Sequence, residues 1–439
     1  MDALKLLREL VEIDTAINPA EGKYPDAAAL TIVREEAESL GFTCELIRDG
    51  GLNHMLAHRG EGEPRLLLMA HLDTVPFNRD EWSHDPLKLT VEGEKAYGRG
   101  ALDDKGNVAA ILSALGEAGD GEGTIMLAIT MDEEAGGRGA KLIRDRLAEE
   151  SRMPAMVVNA DGNGMVIINR RRGVFEAYIS VPSAASMIRG VTRRVEFRLD
   201  YKVRPPHHAA YFLPGVDSHP LIALSQFVRV NDAHVSELVG GSWLKTNVIP
   251  SIVWGNVVIE DPTGDFVPVD EGLTALIKAV VPLTRPVIRG KAPSEYGINA
   301  TPNYYRRRGE SHELVLDIRA MTDDEAEVRR AIEEQLGDLE AEVQLHGGGG
   351  YLFTSQSSNL VKAAMDTLRK IGVAPQVVEM NGASDSRYFS PLGIDAIDFG
   401  PRGGNIHGPD EYVDIKSLEL TIKFYAKLVE AVMTPKAHR

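Results

Sequence analysis

The chain has 439 residues, 43% hydrophobic and 26% charged, an ordinary globular composition in a chain longer than one hydrophobic core usually supports, so two domains are expected. Acidic side chains outnumber basic ones 65 to 48, for a net charge of −17. Such a surface repels phosphate backbones and anionic lipid and argues against nucleic-acid or membrane partners. The only cysteine, Cys44, excludes a disulfide framework and a thiolate metal cage, so any metal must be held by His, Asp and Glu.

The first residues, Met1-Asp2-Ala3-Leu4-Lys5, open an amphipathic helix with neither a basic leader nor a small-residue cleavage site. No apolar run reaches the length of a membrane span, which makes a cytoplasmic location the default expectation. Leu4, Leu7, Leu10 and Val11 mark one helix face; Ala29, Val33, Ala37 and Leu40 mark the next, stopped by Gly41. Strand-like runs follow at 43–47, 65–70, 124–130 and 155–159, with helical stretches at 106–118 and 138–148 between them. Apolar strands alternating with helices predict an α/β layer around a mostly parallel central sheet, covered on both faces. Cys44 lies on an early strand and reads as a packed side chain.

The texture changes near Gly173. Strands are predicted at 174–181, 194–203, 251–259 and 313–321, with helices at 220–230 and at 323–336, the latter opened by Thr322-Asp323. This block reads as a separate, smaller α+β domain closed by the glycines 347–350. The α/β pattern then returns with a helix at 359–371, strands at 376–380 and 394–399, and a helix at 415–433. The predicted organisation is one catalytic domain, residues 1–174 and 347–439, interrupted by an inserted domain, residues 175–346.

The chemistry gathers where strands end, the edge at which open α/β sheets build their sites. Met69-Ala70-His71-Leu72-Asp73-Thr74-Val75-Pro76 closes an apolar run, and residues i and i+2 of an extended chain point the same way, so His71 and Asp73 emerge together. A carboxylate beside a histidine fixes the tautomer of a metal-bound imidazole. Further clusters are Asp103-Asp104 in a glycine-rich turn, Asp132-Glu133-Glu134, Asp161 after Asn159-Ala160, and His407 in Ile406-His407-Gly408-Pro409-Asp410-Glu411-Tyr412. A two-metal hydrolase needs ligands for each ion, a bridging carboxylate, and a free carboxylate to accept a proton from the attacking water. This inventory supplies all of them.

Other features are given structural readings. The basic triplets 170–172 and 306–308 read as solvated turns, and His84 as structural. Residues 159–164 imitate the start of a calcium loop, but its acidic twelfth position is Arg170. Neither a nucleophile elbow nor a phosphate-binding loop is present.

Taken together, His-Leu-Asp-Thr-Val-Pro, Gly-Arg-Gly-Ala-Leu-Asp-Asp-Lys-Gly, Asp-Glu-Glu and the late His-Gly-Pro-Asp-Glu-Tyr-Val resemble the co-catalytic zinc aminoacylase/carboxypeptidase family, which includes acetylornithine deacetylase, succinyl-diaminopimelate desuccinylase, glutamate carboxypeptidase and several dipeptidases. The resemblance implies a zinc-exopeptidase-like catalytic domain with a ferredoxin-like lid, and two Zn2+ per subunit, with Co2+ or Mn2+ as alternatives. It implies His71 and Asp161 on one ion, Glu134 and His407 on the other, and Asp103 bridging. Asp73 would orient His71, and Glu133 would be the general base that later protonates the leaving amine. It also implies a homodimer formed through the lid, with a lid histidine stabilising the oxyanion in the partner's site: His208, with His207 as the alternative. Arg319 would clamp a substrate carboxylate, beside Asn303, in a longer variant of the family's Asn-x-x-Pro turn, or Asn247 in Asn247-Val248-Ile249-Pro250. The segment Ser384-Asp385-Ser386-Arg387 resembles a family stretch near the pocket floor.

The activity implied is cleavage of an amide bond next to a free carboxylate, in an N-acyl amino acid or a short peptide. Deacylation is the first expectation and a dipeptidase or carboxypeptidase the second. A metal-free binding protein that keeps the fold is the contrasting reading, and it predicts lost ligands.

Overall fold

The structure, a computed structural model, describes residues 2–119, 121–199, 209, 212, 216–287 and 298–433. It divides into two compact units, residues 1–171 with 350–439, and residues 172–349.

The first unit opens with helix α1 (Ala3–Val11), capped by Asp2, whose carboxylate accepts from the amides of Leu4 and Lys5. Helix α2 (Ala28–Ser39) follows. Next come strands β1 (Thr43–Asp49), β2 (Leu52–Arg59) and β3 (Pro64–His71), then a small hairpin, β4 (Thr90–Glu92) and β5 (Lys95–Tyr97). Helix α3 (Lys105–Glu117), strand β6 (Thr124–Thr130), helix α4 (Arg138–Glu149) and strands β7 (Met156–Asn159) and β8 (Ile167–Arg171) complete the first segment. Every residue of β6 is buried, as a central strand covered on both faces requires.

The second unit contains β9 (Gly173–Pro182), β10 (Ala185–Arg198), α5 (Pro220–Val230), β11 (His234–Gly241), β12 (Ile252–Glu260), β13 (Asp265–Asp270), α6 (Glu271–Leu283), β14 (Ile298–Arg308), β15 (Ser311–Ala320), α7 (Glu325–Leu336) and β16 (Glu342–Gly347). Its sheets are ordered β14-β15-β9-β16 and β11-β12-β10-β13. The elements β9, α6, β14, β15, α7 and β16 form a β-α-β-β-α-β unit, the ferredoxin-like arrangement. The second sheet is inserted between β9 and α6, and one core of side chains such as Phe175, Val257, Leu276 and Leu316 serves both.

The chain then returns to the first unit with β17 (Leu352–Phe353), α8 (Asn359–Lys370), β18 (Val377–Met380), β19 (Asp395–Asp398), β20 (Gly403–Gly404), β21 (Tyr412–Asp414) and α9 (Ile415–Met433). The large sheet runs β1-β2-β6-β3-β7-β19-β8-β17, with β18 beside β8. Its centre, β6, β3, β7 and β19, is parallel, and its outer pairs β1–β2, β2–β6 and β8–β17 are antiparallel. One core lies between the sheet and α1, α2, α3, α8 and α9, with Leu68, Ile111, Phe399 and Phe424 among its members. Among the described residues, no helix is long and apolar enough to cross a membrane.

Several local expectations are corrected. The strand expected at 194–203 begins at Ala185 and ends at Arg198, because exposed residues along it hide the alternation. The helix expected from Asp323 starts at Glu325, since Asp324 takes the cap by accepting from the amides of Ala326 and Glu327. Neither basic triplet is a turn, although 306–308 are exposed as expected. Arg170 and Arg171 lie on β8 with Arg171 buried, and 306–308 lie on β14, where Arg306 and Arg308 pair with the buried Glu313. The buried Asp398 carboxylate accounts for the burial of Arg171. Asn303 sits within β14, at a break in register between Pro302 and Tyr304, and not in a turn; the irregularity turns its side chain into the core.

Candidate active site

Parallel strands that share a direction present their carboxyl ends at one edge, and the side chains gather there. His71 ends β3 in register with Thr130 of β6, and Met69 is in register with Asn159 of β7. The 132–137 turn leaves β6, and Asp161 follows β7 by two residues. Asp103 precedes α3, and His407 lies in the loop between β20 and β21.

The His71 Nδ1 lies 3.0 Å from the Asp73 carbonyl oxygen. A carbonyl only accepts, so Nδ1 carries the proton and Nε2 is left facing Asp103 Oδ1 at 3.0 Å. The other Asp103 oxygen is 3.2 Å from His407 Nε2, which is 2.8 Å from Glu134 Oε1. Two groups of possible ligand atoms result, His71, Asp103 and Asp161, and Asp103, Glu134 and His407, each lying within 4.8 Å and sharing Asp103. Ligands held about 2.0–2.1 Å from a tetrahedral ion stand about 3.3 Å apart. The separations of Asp103 from His71 and His407, and of Glu134 from His407, 2.8–3.2 Å, are close to that and suit a borderline divalent cation.

Electrostatics points the same way. Burial raises the carboxyls of Glu133, Glu134 and Asp161, and neighbouring carboxylates raise them further: Asp161 acts on Glu133, and Asp103 on Glu134 and Asp161. Burial disfavours charge on both histidines, but hydrogen bonds accepted by Asp103 and Asp73 hold His71 well above the imidazole range. Asp103 and Glu134 push His407 up to about 11. The carboxylates thus draw positive charge to both sides of Asp103, where two cations would supply it.

Support for these side chains comes from further out. Asp73 orients more than His71. Its oxygens accept from the backbone amides of Glu133 (3.1 Å) and Glu134 (2.9 Å), whereas its carboxylate is 3.5 Å from His71 Nδ1. Arg387 Nη2 and the Tyr388 hydroxyl both donate to the Gly136 carbonyl, at 2.7 and 3.2 Å, so the 384–388 stretch braces the turn that bears Glu133. At Gly137 φ is +66°, and a Cβ would stand 2.4 Å from Asp385 Oδ1; only glycine fits. Arg171 donates to Asp398 and to the Asp161 carbonyl, and Ser384 Oγ donates to Asp398 as well (2.7 Å). Sequence reasoning missed Arg171, Asp398, Tyr388 and Glu411. A motif that repeats the site's own residue types exposes ligands but not the groups that hold them.

Residues 67–431 match the model of peptidase family M20/M25/M40. The chain belongs to this family. A succinyl-diaminopimelate desuccinylase of Stenotrophomonas maltophilia is 25% identical over 419 residues, covering 93% of this chain and 94% of the relative. The solved aminoacylhistidine dipeptidase of Vibrio alginolyticus superposes with a TM-score of 0.71 at 17% identity, over 99% of this chain and 97% of that one. An M20 family metallo-carboxypeptidase of Sulfolobus solfataricus gives 0.61 at 19% identity, over 99% and 100%. Membership makes the chain a metal-dependent hydrolase acting on amide bonds.

In the second unit of this M20 family member, Arg319 is buried on β15 and makes a two-pronged pair with Asp317, Nε to Oδ1 and Nη2 to Oδ2, both 2.8 Å. Asn303 is fully buried; its Nδ2 donates to the Thr246 carbonyl (2.8 Å), and its Oδ1 lies 3.4 Å from His219 Nε2. Thr246 directly precedes Asn247, so the two alternative asparagines are neighbours in space. His207 and His208 lie outside the described residues.

A third cluster, Asp49, His54 and Asp132, also brings ligand-type atoms together, but it does not fit a cation. The Met131 amide donates to His54 Nδ1, so the ring proton sits on Nε2 and neither nitrogen offers a lone pair.

Proposed function

We propose that this M20 family member is a di-zinc amidohydrolase that removes an acyl group from an N-acyl amino acid, in the manner of acetylornithine deacetylase or succinyl-diaminopimelate desuccinylase. The observation that carries the reading is the Asp103 carboxylate, each of whose oxygens faces a different histidine. His71 and Asp161 would hold one ion, Glu134 and His407 the other, and Asp103 both; Co2+ or Mn2+ suits the same donors. When bound, two such ions supply Lewis acidity and acidify water at neutral pH.

The rest is done by the chain's own groups. Glu133 takes a proton from the attacking water and returns it to the departing nitrogen. Asp73 fixes the backbone from which Glu133 and Glu134 project. Arg319 holds the substrate's free carboxylate through the guanidinium edge opposite the one that Asp317 occupies, with Asn303 or Asn247 beside it. His208, or His207, steadies the developing oxyanion, reaching in from a second copy, so the active species is a homodimer formed through the second unit, working in the cytoplasm. Desuccinylase relatives matched over nearly their whole length support deacylation. A dipeptidase is the second reading, favoured by the TM-score of 0.71 to the Vibrio alginolyticus aminoacylhistidine dipeptidase.

The test is metal analysis together with turnover on a panel of N-acetyl and N-succinyl amino acids and dipeptides with zinc or cobalt. Two ions per chain and preference for an N-acyl amino acid are expected. Preference for dipeptides moves the assignment to the second reading, and a chain that binds no divalent ion defeats both.

A further inference from the structure

Glu411 is a carboxylate next to the site that is engaged by four donors. It lies in the loop that carries His407 and is fully buried. Its Oε1 accepts from the backbone amides of Leu102 (2.9 Å) and Asp103 (3.0 Å). Its Oε2 accepts from the Gly100 amide (3.2 Å) and from Arg99 Nη1 (2.6 Å). Arg99 then closes the circuit by donating from Nη2 to the Gly408 carbonyl (3.1 Å), one residue past His407. Asp103 and Glu411 are 308 residues apart in the chain, yet one buried ion pair pins the backbone of Asp103 to the loop that holds His407.

We infer that Glu411 is a positioning residue for the metal centre: it sets where Asp103 stands between His71 and His407, and through Arg99 it fixes the His407 loop to the same point. The inference rests on the proposed two-ion reading. Two carboxylate oxygens together take four donors, and no other side chain of that size presents two acceptors and no donor. Glutamine would keep the volume but turn an NH2 group toward amides or a guanidinium, leaving at least one buried donor opposed and Arg99 without its counter-charge. Asp103 faces both histidines, so displacing its backbone would disturb both ions together. A supporting partner of a single ligand would affect only one.

The experiment is a Co2+ titration of the metal-free chain, followed by visible absorption, for wild type, Glu411→Gln and Glu411→Asp. Thermal melts of each metal-free chain report the fold. Glu411→Gln is expected to weaken binding of both equivalents on the order of 10- to 100-fold and to alter the cobalt spectrum. Glu411→Asp keeps the charge but withdraws the acceptors by about one carbon–carbon bond, and is expected to fall between the two. A folded Glu411→Gln chain with wild-type affinity and spectrum would overturn the inference while leaving the two-ion reading intact. So would weakening of one equivalent alone. Should Glu411→Gln not fold, Glu411→Asp carries the test, and wild-type binding there overturns it. Loss of fold in both would overturn it too, by making the clamp a stability element. A wild type that binds no cobalt removes the two-ion reading and this one with it.

Discussion

The ligand-bearing sheet edge of the first unit and the sheets of the second handle buried charge in opposite ways. In the first, Asp103, Glu133, Glu134 and Asp161 crowd one edge; His71 and His407 face Asp103 and Glu134, and Arg171 stands 4.0 Å from Asp161. In the second, buried ionic groups meet a partner: Arg319 with Asp317 and Glu313 with Arg306 within one sheet, and His312 with Asp270 across to the other. Topology explains the contrast. Parallel strands deliver their carboxyl ends to one place, so polar side chains accumulate there. Antiparallel neighbours set side chains opposite one another, as in the Arg306–Glu313 cross-strand pair, and charge is balanced pairwise. A centre short of positive charge is built to receive cations; a sheet already balanced is built to hold a shape. Substitutions at the ligand cluster should therefore change metal content and turnover, whereas in the second unit the proposed role of Arg319 predicts a change in substrate preference.

The largest effect tests that division at its source. Asp103→Ala removes the side chain common to both ligand groups, and both ions are expected to be lost with turnover, which metal analysis and hydrolysis assays would show together. Retention of one ion would mean that the two groups are independent. Next comes Glu133→Gln, which removes the proposed proton acceptor but no expected ligand. Turnover is expected to fall roughly 10²- to 10⁴-fold with metal content unchanged; undiminished turnover would remove Glu133 from the mechanism.

A smaller effect is expected in the second unit. Replacing Arg319 by alanine would strand the buried Asp317, so Arg319→Lys is the cleaner change: it keeps the charge and loses the planar fork. KM is expected to rise roughly 10-fold or more for substrates with a free carboxylate, with kcat little altered and carboxyl-free amides unaffected. Equal losses on both substrate types would make Arg319 a structural partner of Asp317 only.

The same contrast governs what can be read from the chain. The α/β alternation is plain because β3 and β6 are nearly continuous apolar runs. The ligand-type residues stand out because each follows such a run or a glycine turn. Helix α6 escaped notice because Gly272, Thr274 and Pro282 weaken its local preference, while packing between two sheets supplies the stability. The insertion that makes the second sheet was hidden by β10, whose alternation is broken by four consecutive exposed residues, 191–194. Glu411 gives no local sign of turning inward, since its four donors come from a segment 308 to 312 residues away.

The smallest effect concerns the periphery of the first unit, where charge is paired as it is in the second. His84 Nδ1 lies 3.0 Å from Asp410 Oδ1, its Nε2 is 3.3 Å from Glu92, and its ring stacks on Tyr97. Asp410 also accepts from Ser83 Oγ and from the amides of Ser83 and His84. The hydrogen bond to Asp410, opposed by slight burial and aided by Glu92, raises the imidazole above its ordinary value. Slight burial would lift the Asp410 carboxyl, but Ser83 and His84 hold it down at about 2. A group whose folded pKa is raised contributes fully below its unfolded value, about 6.5 for histidine, and loses that contribution as pH climbs through the folded value. The depressed aspartate contributes above about 3.9 and loses its share as pH falls toward 2. The tie is therefore strongest between about pH 4 and 6.5. For a pair this near solvent the effect is modest, a Tm difference of about 1–2 °C. His84→Gln keeps a hydrogen-bonding amide but does not titrate, so wild type should melt above it near pH 5 and the two should converge above pH 8. A difference that stays constant across that range would mean that ring stacking on Tyr97, and not charge, joins the 82–85 turn to the His407 loop.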